Sequence, residues 1–223
     1  MNIIMLRHSA GFEHTYLPDA EVAIKRIAAS EGWNAQTTHR CDCITTQTLD
    51  STDLLIFATT GELPLDGSQK QAILDFVCNG KAFFGIHNAT DSCYEWPAYG
   101  QMLGGCFAGH PWHQRVRVVV EDRTHPATRH LGTSFVVTDE IYTFKHFDRK
   151  KTHVLMRLDN ASVDISKGNR EDEDYSLGWC HEYGKGRVIY TALGHPDQLW
   201  NEGWFNQHII GCMNWALRLE DKV

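Results

Sequence analysis

The segment from Lys81 to Asp91 constrains the fold most, because an apolar run ends in Gly85-Ile86-His87 and then turns polar. The run predicts a buried strand. A Gly-x-polar step at its end predicts the sharp elbow that presents one side chain at the carboxyl edge of an α/β sheet. Serine or cysteine at that point would suggest acyl transfer. Histidine does not readily form the matching ester or thioester, so the chemistry moves to proton transfer, polar recognition or metal ligation.

The rest of the first half fits such a sheet. Residues 2–7 predict a short buried strand opening onto a polar loop that carries His14. Pro18 and Asp19 mark a helix start, Ala20, Ile24, Ile27 and Ala28 share one face, and Gly32 is the stop. Residues 33–38 and 53–59 predict two more strands, and a helix with Ile73, Phe76 and Val77 inward precedes the elbow strand. This alternation predicts a mostly parallel sheet covered on both faces, with its ligand at the edge where the strands end.

The second half is less regular. Residues 113–121 alternate like a half-exposed strand, 135–137, 153–158 and 175–181 are further strand candidates, and 160–174 form a polar loop. Gly186 to Leu193 is a strong strand ending in Gly194-His195-Pro196, and Trp204 to Leu217 is a terminal helix. No repeat or linker divides the chain, so 1–223 is expected to be a single domain.

Charge narrows the partners. The formal net charge is −7 and no block of Lys or Arg stands out, which argues against nucleic acid. No apolar run is long enough for a bilayer or a signal segment, so a cytoplasmic protein without a membrane partner is expected. The seven cysteines form no Cys-x-x-Cys pair, which disfavours a disulfide framework or a zinc ribbon.

Thirteen histidines are many for this length, and four fall where a parallel sheet presents its carboxyl edge. These are His14, His87, His110 in the glycine-rich 104–113 segment, and His195. His14, His87 and His110 are the candidate metal ligands, with zinc or another divalent ion as the cofactor. His87 and His195 are equally candidates for acid and base. Glu140 is a candidate general base or hydroxyl acceptor; strand alternation sends it and Tyr142 to one face and Asp139 to the other. Asp91, one turn beyond His87 if a helix follows, could orient that imidazole. Asp91, Tyr142, Trp112 and Trp179 are the candidate substrate-binding residues, the tryptophans by stacking on sugar C–H faces. Gly104, Gly105 and Gly109 match no phosphate-binding fingerprint, so no nucleotide cofactor is expected.

In this order the motifs resemble the trehalose-utilisation (ThuA-like) family, a branch of the class I glutamine-amidotransferase-like superfamily. They run from the His14 loop through Gly85-Ile-His87 with Asp91, Gly104-Gly-x-Phe107-Ala-Gly-His110-Pro111 and Asp139-Glu-Ile-Tyr142 to Trp179, Tyr183-Gly-Lys-Gly-Arg187, Gly194-His195 and Asn214-Trp-Ala-Leu217. The resemblance implies a flavodoxin-like α/β/α sheet with an added, partly antiparallel region. It also implies a role in sugar catabolism on trehalose-type disaccharides or their keto derivatives. True amidotransferases carry cysteine at the elbow, so His87 argues against glutaminase activity. The expected function is therefore an enzyme acting on a small carbohydrate, of isomerase, lyase or hydrolase type. The alternatives are a metal-dependent amide or ester hydrolase and a non-catalytic sugar-binding or regulatory subunit. Self-association is an open expectation.

Overall fold

A computed structural model describes residues 1–219. Nine strands form one sheet: β1 (Asn2–Leu6), β2 (Asn34–Thr38), β3 (Leu54–Phe57), β4 (Ala82–Ile86), β5 (Cys106–Val120), β6 (Ser134–Lys145), β7 (His153–Leu158), β8 (Ser176–Tyr183) and β9 (Gly186–Thr191). Their order across the sheet is β2-β1-β3-β4-β9-β8-β7-β5-β6. The pairs from β2 to β9 are parallel, and those from β9 to β6 are antiparallel. The flavodoxin-like α/β sheet with a partly antiparallel extension is therefore present.

Five helices accompany it: α1 (Leu17–Ser30), α2 (Thr46–Asp50), α3 (Gly67–Cys78), α4 (Pro97–Leu103) and α5 (Gly203–Ala216). In α1 the predicted stripe of Ala20, Ile24, Ile27 and Ala28 is buried, and Pro18 sits in the first turn, where a missing N–H costs nothing. Asp66 and Gln69 make a reciprocal capping box that starts α3. All five residues of β4 are buried, as a strand covered on both faces requires. The chain contains no helix among its described residues long and apolar enough to cross a membrane. All seven cysteines are unpaired.

Two local expectations change. No α-helix follows the elbow: His87–Thr90 is a short 3-10 turn. Its side chains hydrogen-bond outward, Asn88 to Tyr16 and Thr90 to Tyr190, instead of continuing a helical ladder. Most of the 104–113 segment is not a loop: Gly104 caps α4, β5 begins at Cys106, and Gly109 sits between two register irregularities of the strand. The short helices α2 and α4 carry too few turns for a periodic signal in sequence.

Gly85, two residues before His87, is required by close packing. A Cβ there would lie 2.7 Å from Leu103 Cδ1 and 3.1 Å from Tyr190 Cδ2. The Tyr190 hydroxyl donates to the His87 carbonyl at 2.6 Å, so displacement of that ring reaches the elbow. Gly85→Ala is expected to cost about 1–3 kcal/mol, read as a lower urea midpoint at unchanged slope.

Candidate functional site

Parallel pairing of β1, β3, β4 and β9 brings the segments after β1, β4 and β9 to one edge of the sheet. They deliver His14, His87 and His195. The β5–β6 pair, in which His113 faces Glu140, brings in the carboxylate. Ligand atoms of His14, His87, Glu140 and His195 all lie within 4.8 Å of one another. The three imidazole centroids form a near-equilateral triangle, with His14 to His87 at 5.3 Å, His14 to His195 at 5.4 Å and His87 to His195 at 5.3 Å.

His87 occupies the elbow with φ +41°, a left-handed conformation unfavourable for a residue with a Cβ. Its ring is fully buried. Nδ1 lies 2.6 Å from the Ala192 carbonyl, which can only accept, so the ring proton sits there. Nε2 is then a lone pair aimed inward, 3.4 Å from Glu140 Oε2. His195 Nδ1 is 3.2 Å from the same oxygen. Neither nitrogen makes a well-angled hydrogen bond, although both are shielded from solvent. Glu140 Oε1 meets His110 Nδ1 at 3.2 Å.

Electrostatics follow from burial and crowding. Burial pulls the Glu140 carboxyl upward, but the imidazoles of His195 and His87, 3.2 and 3.4 Å from it, outweigh burial and hold the group well below the usual range. The Glu140 carboxylate 3.2 Å away raises His195 against the opposing effect of burial. Burial, then repulsion by His87 and His195, lowers His14 to about 3, so its ring is neutral across the physiological range. Burial raises Asp139 and Asp91 above the ordinary carboxylate value.

These shifts make a pH prediction. His195 is raised, so its pairing with Glu140 stabilises the fold fully below the unfolded histidine value and loses that contribution as pH rises through the folded value. Glu140 is depressed, so its contribution is present above the unfolded carboxylate value and fades on acidification. In metal-free protein, Glu140→Gln is expected to drop the His195 midpoint in an NMR titration. An unchanged midpoint would show that the pair is not coupled.

Each residue named from sequence can now be located. His14, His87, His195 and Glu140 come together. His110 lies outside that four-membered cluster, with its half-exposed side chain on the far oxygen of Glu140 and its ring stacked on Phe107. Tyr142 faces the site, its ring 4.2 Å from His87. Asp139 points away, as alternation requires, and accepts the backbone N–H groups of Gly194 and His195 at 2.9 and 3.2 Å. It thereby fixes the His195 segment. Asp91 does not orient His87, because the Ala192 carbonyl does; Asp91 accepts instead from the Tyr94 hydroxyl at 2.6 Å. Trp112 and Trp179 are buried in the core with their N–H groups on the Asp164 and Leu103 carbonyls, and so offer no face to a ligand.

The aromatic groups at the mouth are different ones. Phe12 is 68% exposed, and its ring stands edge-on to His14 at 5.0 Å. Tyr94 is exposed beside Asp91, and also lines a cavity of about 840 Å³ that none of the four clustered residues borders. Proximity of Phe12 to His14 in the chain was the one available signal for it. Asn88 and Tyr16, whose roles depend on a contact across 72 residues, had none.

Sheet order, elbow and cleft together define a flavodoxin-like α/β protein with a partly antiparallel extension and a histidine at the elbow. A family model for trehalose utilisation, ThuA, matches residues 2–216, and the chain belongs to that family. A structure described as a ThuA-like protein from Bacteroides uniformis is 24% identical, with a TM-score of 0.82 over 97% of this chain and 91% of that one. A second, from Parabacteroides merdae, is 14% identical, with a TM-score of 0.77 over 97% and 90%. A structure described as a GMP synthase subunit from Thermoplasma acidophilum shares the fold at 13% identity, with a TM-score of 0.56 over 100% and 98%. Among curated proteins, none matches the sequence significantly. The family places the chain in a carbohydrate-related role.

Proposed function

We propose that this chain is a cytoplasmic enzyme that acts on a small carbohydrate or keto-sugar at the His14–His87–Glu140–His195 cluster, with a divalent metal, zinc first, as its cofactor. The observation that carries this is the pair of buried nitrogens, His87 Nε2 and His195 Nδ1, that converge on one carboxylate oxygen without a well-angled hydrogen bond to it. Two imidazoles and a carboxylate suit zinc, and a spread of up to 4.8 Å is somewhat wider than the roughly 3.3 Å between ligands in a tetrahedron with bonds of about 2.0 Å. A modest contraction brings the set to bonding distance.

When bound, the metal supplies Lewis acidity to a sugar carbonyl. The chain's own groups do the rest. Glu140, held as a carboxylate, and the inward nitrogens of His87 and His195 would hold the ion. Without a metal, Glu140 is instead placed to accept a proton and His195, raised by it, to return one. Tyr142 lies beside them to position hydroxyls. Phe12 offers an apolar face to the sugar ring at the mouth.

Zinc titration against a chromogenic chelator, followed by a panel of keto-disaccharides, chromogenic esters and amides, tests the proposal. One zinc per chain and turnover of a sugar substrate are expected. Saccharide binding without turnover under any metal would instead favour a non-catalytic binding role, and ester or amide cleavage a hydrolase. Phe12→Ala is expected to raise KM about fivefold or more with little change in kcat, the loss of a stacking contact worth about 1 kcal/mol.

A further inference from the structure

His14 shares the cluster with His87, yet its hydrogen bonds set the opposite polarity. Tyr16 is fully buried, and its ring stacks on Trp200 at 5.6 Å. Its hydroxyl donates to Asn88 Oδ1 at 2.6 Å, while the Asn88 backbone N–H lies beside the same hydroxyl oxygen. Among the described residues the Tyr16 proton has no other acceptor. Turning the Asn88 amide over would therefore strand a buried O–H.

With Oδ1 committed to Tyr16, Asn88 Nδ2 must face His14, and it meets Nδ1 at 3.2 Å. Nδ1 is then an acceptor, and the single proton of a neutral imidazole sits on Nε2. That nitrogen faces the cleft, where it meets the Tyr142 hydroxyl at a loose 3.4 Å. The Phe12 carbonyl also lies beside the ring; it accepts from the Thr60 hydroxyl at 2.7 Å and keeps a second lone pair, so it is the acceptor that competes with Asn88 in setting the tautomer. His87, by contrast, spends its proton on the Ala192 carbonyl and turns a lone pair inward.

We propose that His14 serves as a neutral N–H donor to a substrate oxygen rather than as a fourth metal ligand, in a tautomer imposed by Tyr16 through Asn88. His87, His195 and Glu140 are then the ligands. Three protein ligands with one open position is the arrangement of catalytic rather than structural zinc sites. The donor suits a carbonyl or hydroxyl oxygen arriving at that open position. Tyr16 and Asn88 are positioning residues. The ligand half of this rests on the metal reading above; the tautomer does not.

Nitrogen-15 NMR of histidine-labelled, metal-free protein tests the tautomer directly. Wild-type His14 is expected to carry its proton on Nε2, and Tyr16→Phe, which frees the Asn88 amide, to move it towards Nδ1. Asn88→Asp, acceptor-only, should do the same and stands in if Tyr16→Phe does not fold. In zinc competition, His14→Gln is expected to stay within about threefold of wild type, while His195→Gln loses about 100-fold. Tyr16→Phe should bind zinc about tenfold more tightly, because His14 can then join the ligands. A proton found on Nδ1 in the wild type, no tautomer change in either variant, or equal zinc loss in His14→Gln and His195→Gln would each overturn the proposal. Wild-type protein that takes up no zinc would sink the metal reading alone, and the tautomer measurement would still decide this one.

Discussion

Exchanging His87 for asparagine is expected to abolish sugar turnover and to weaken zinc binding about 100-fold, with the fold intact. Asparagine tolerates the positive φ at this elbow better than most residues, so the backbone has little reason to move. The lost ligand is the one whose tautomer is already set for coordination by the Ala192 carbonyl. Structural zinc sites bind with roughly 10–16 kcal/mol, so one ligand of three or four accounts for about 3 kcal/mol, or some 100-fold. Zinc competition by the His87→Asn variant, beside a circular-dichroism melt, measures both halves. Affinity equal to wild type would show that the elbow histidine does not touch the metal.

The second large effect is expected from Asp139→Ala. This carboxylate is fully buried and accepts N–H groups from Gly194 and His195, and from its neighbour Glu140 at 2.8 Å. Truncation strands buried donors on two segments at once. Hydrogen bonds to a charged group contribute about 1.5–3 kcal/mol each, and they will not add fully, so a total near 3 kcal/mol is expected. For a chain of this size that is a fall in Tm of roughly 6–12 °C. Asp139→Asn, which keeps one acceptor oxygen, should fall between. Turnover should drop in both variants even at low temperature, because the His195 segment loses its anchor. A melt unchanged in Asp139→Ala would remove Asp139 from the scaffold of the site.

Much of the scaffold was readable beforehand because local pattern and burial agree. β4 is apolar throughout because it is covered on both faces, and the α1 stripe repeats at helical spacing because one side packs on the sheet. The Glu140 and Tyr142 pairing on one face follows from the two-residue period of a strand. The errors share a cause. Trp112 and Trp179 sit near polar segments in sequence but turn inward, where two backbone carbonyls satisfy their N–H groups. Asp91 was placed by a helical turn that the elbow does not make.

By itself the sequence determined the elbow, the strand and helix alternation, and the presence of imidazoles at strand ends, since these depend on neighbours within a few residues. Only the tertiary structure decided which of those rings meet, and which nitrogen each one shows to the cleft. That depends on a carbonyl at residue 192, an amide at 88 and a phenol at 16, brought to the rings by chain folding. A ring proton goes wherever a distant acceptor waits for it, and no spacing along the chain encodes that distance.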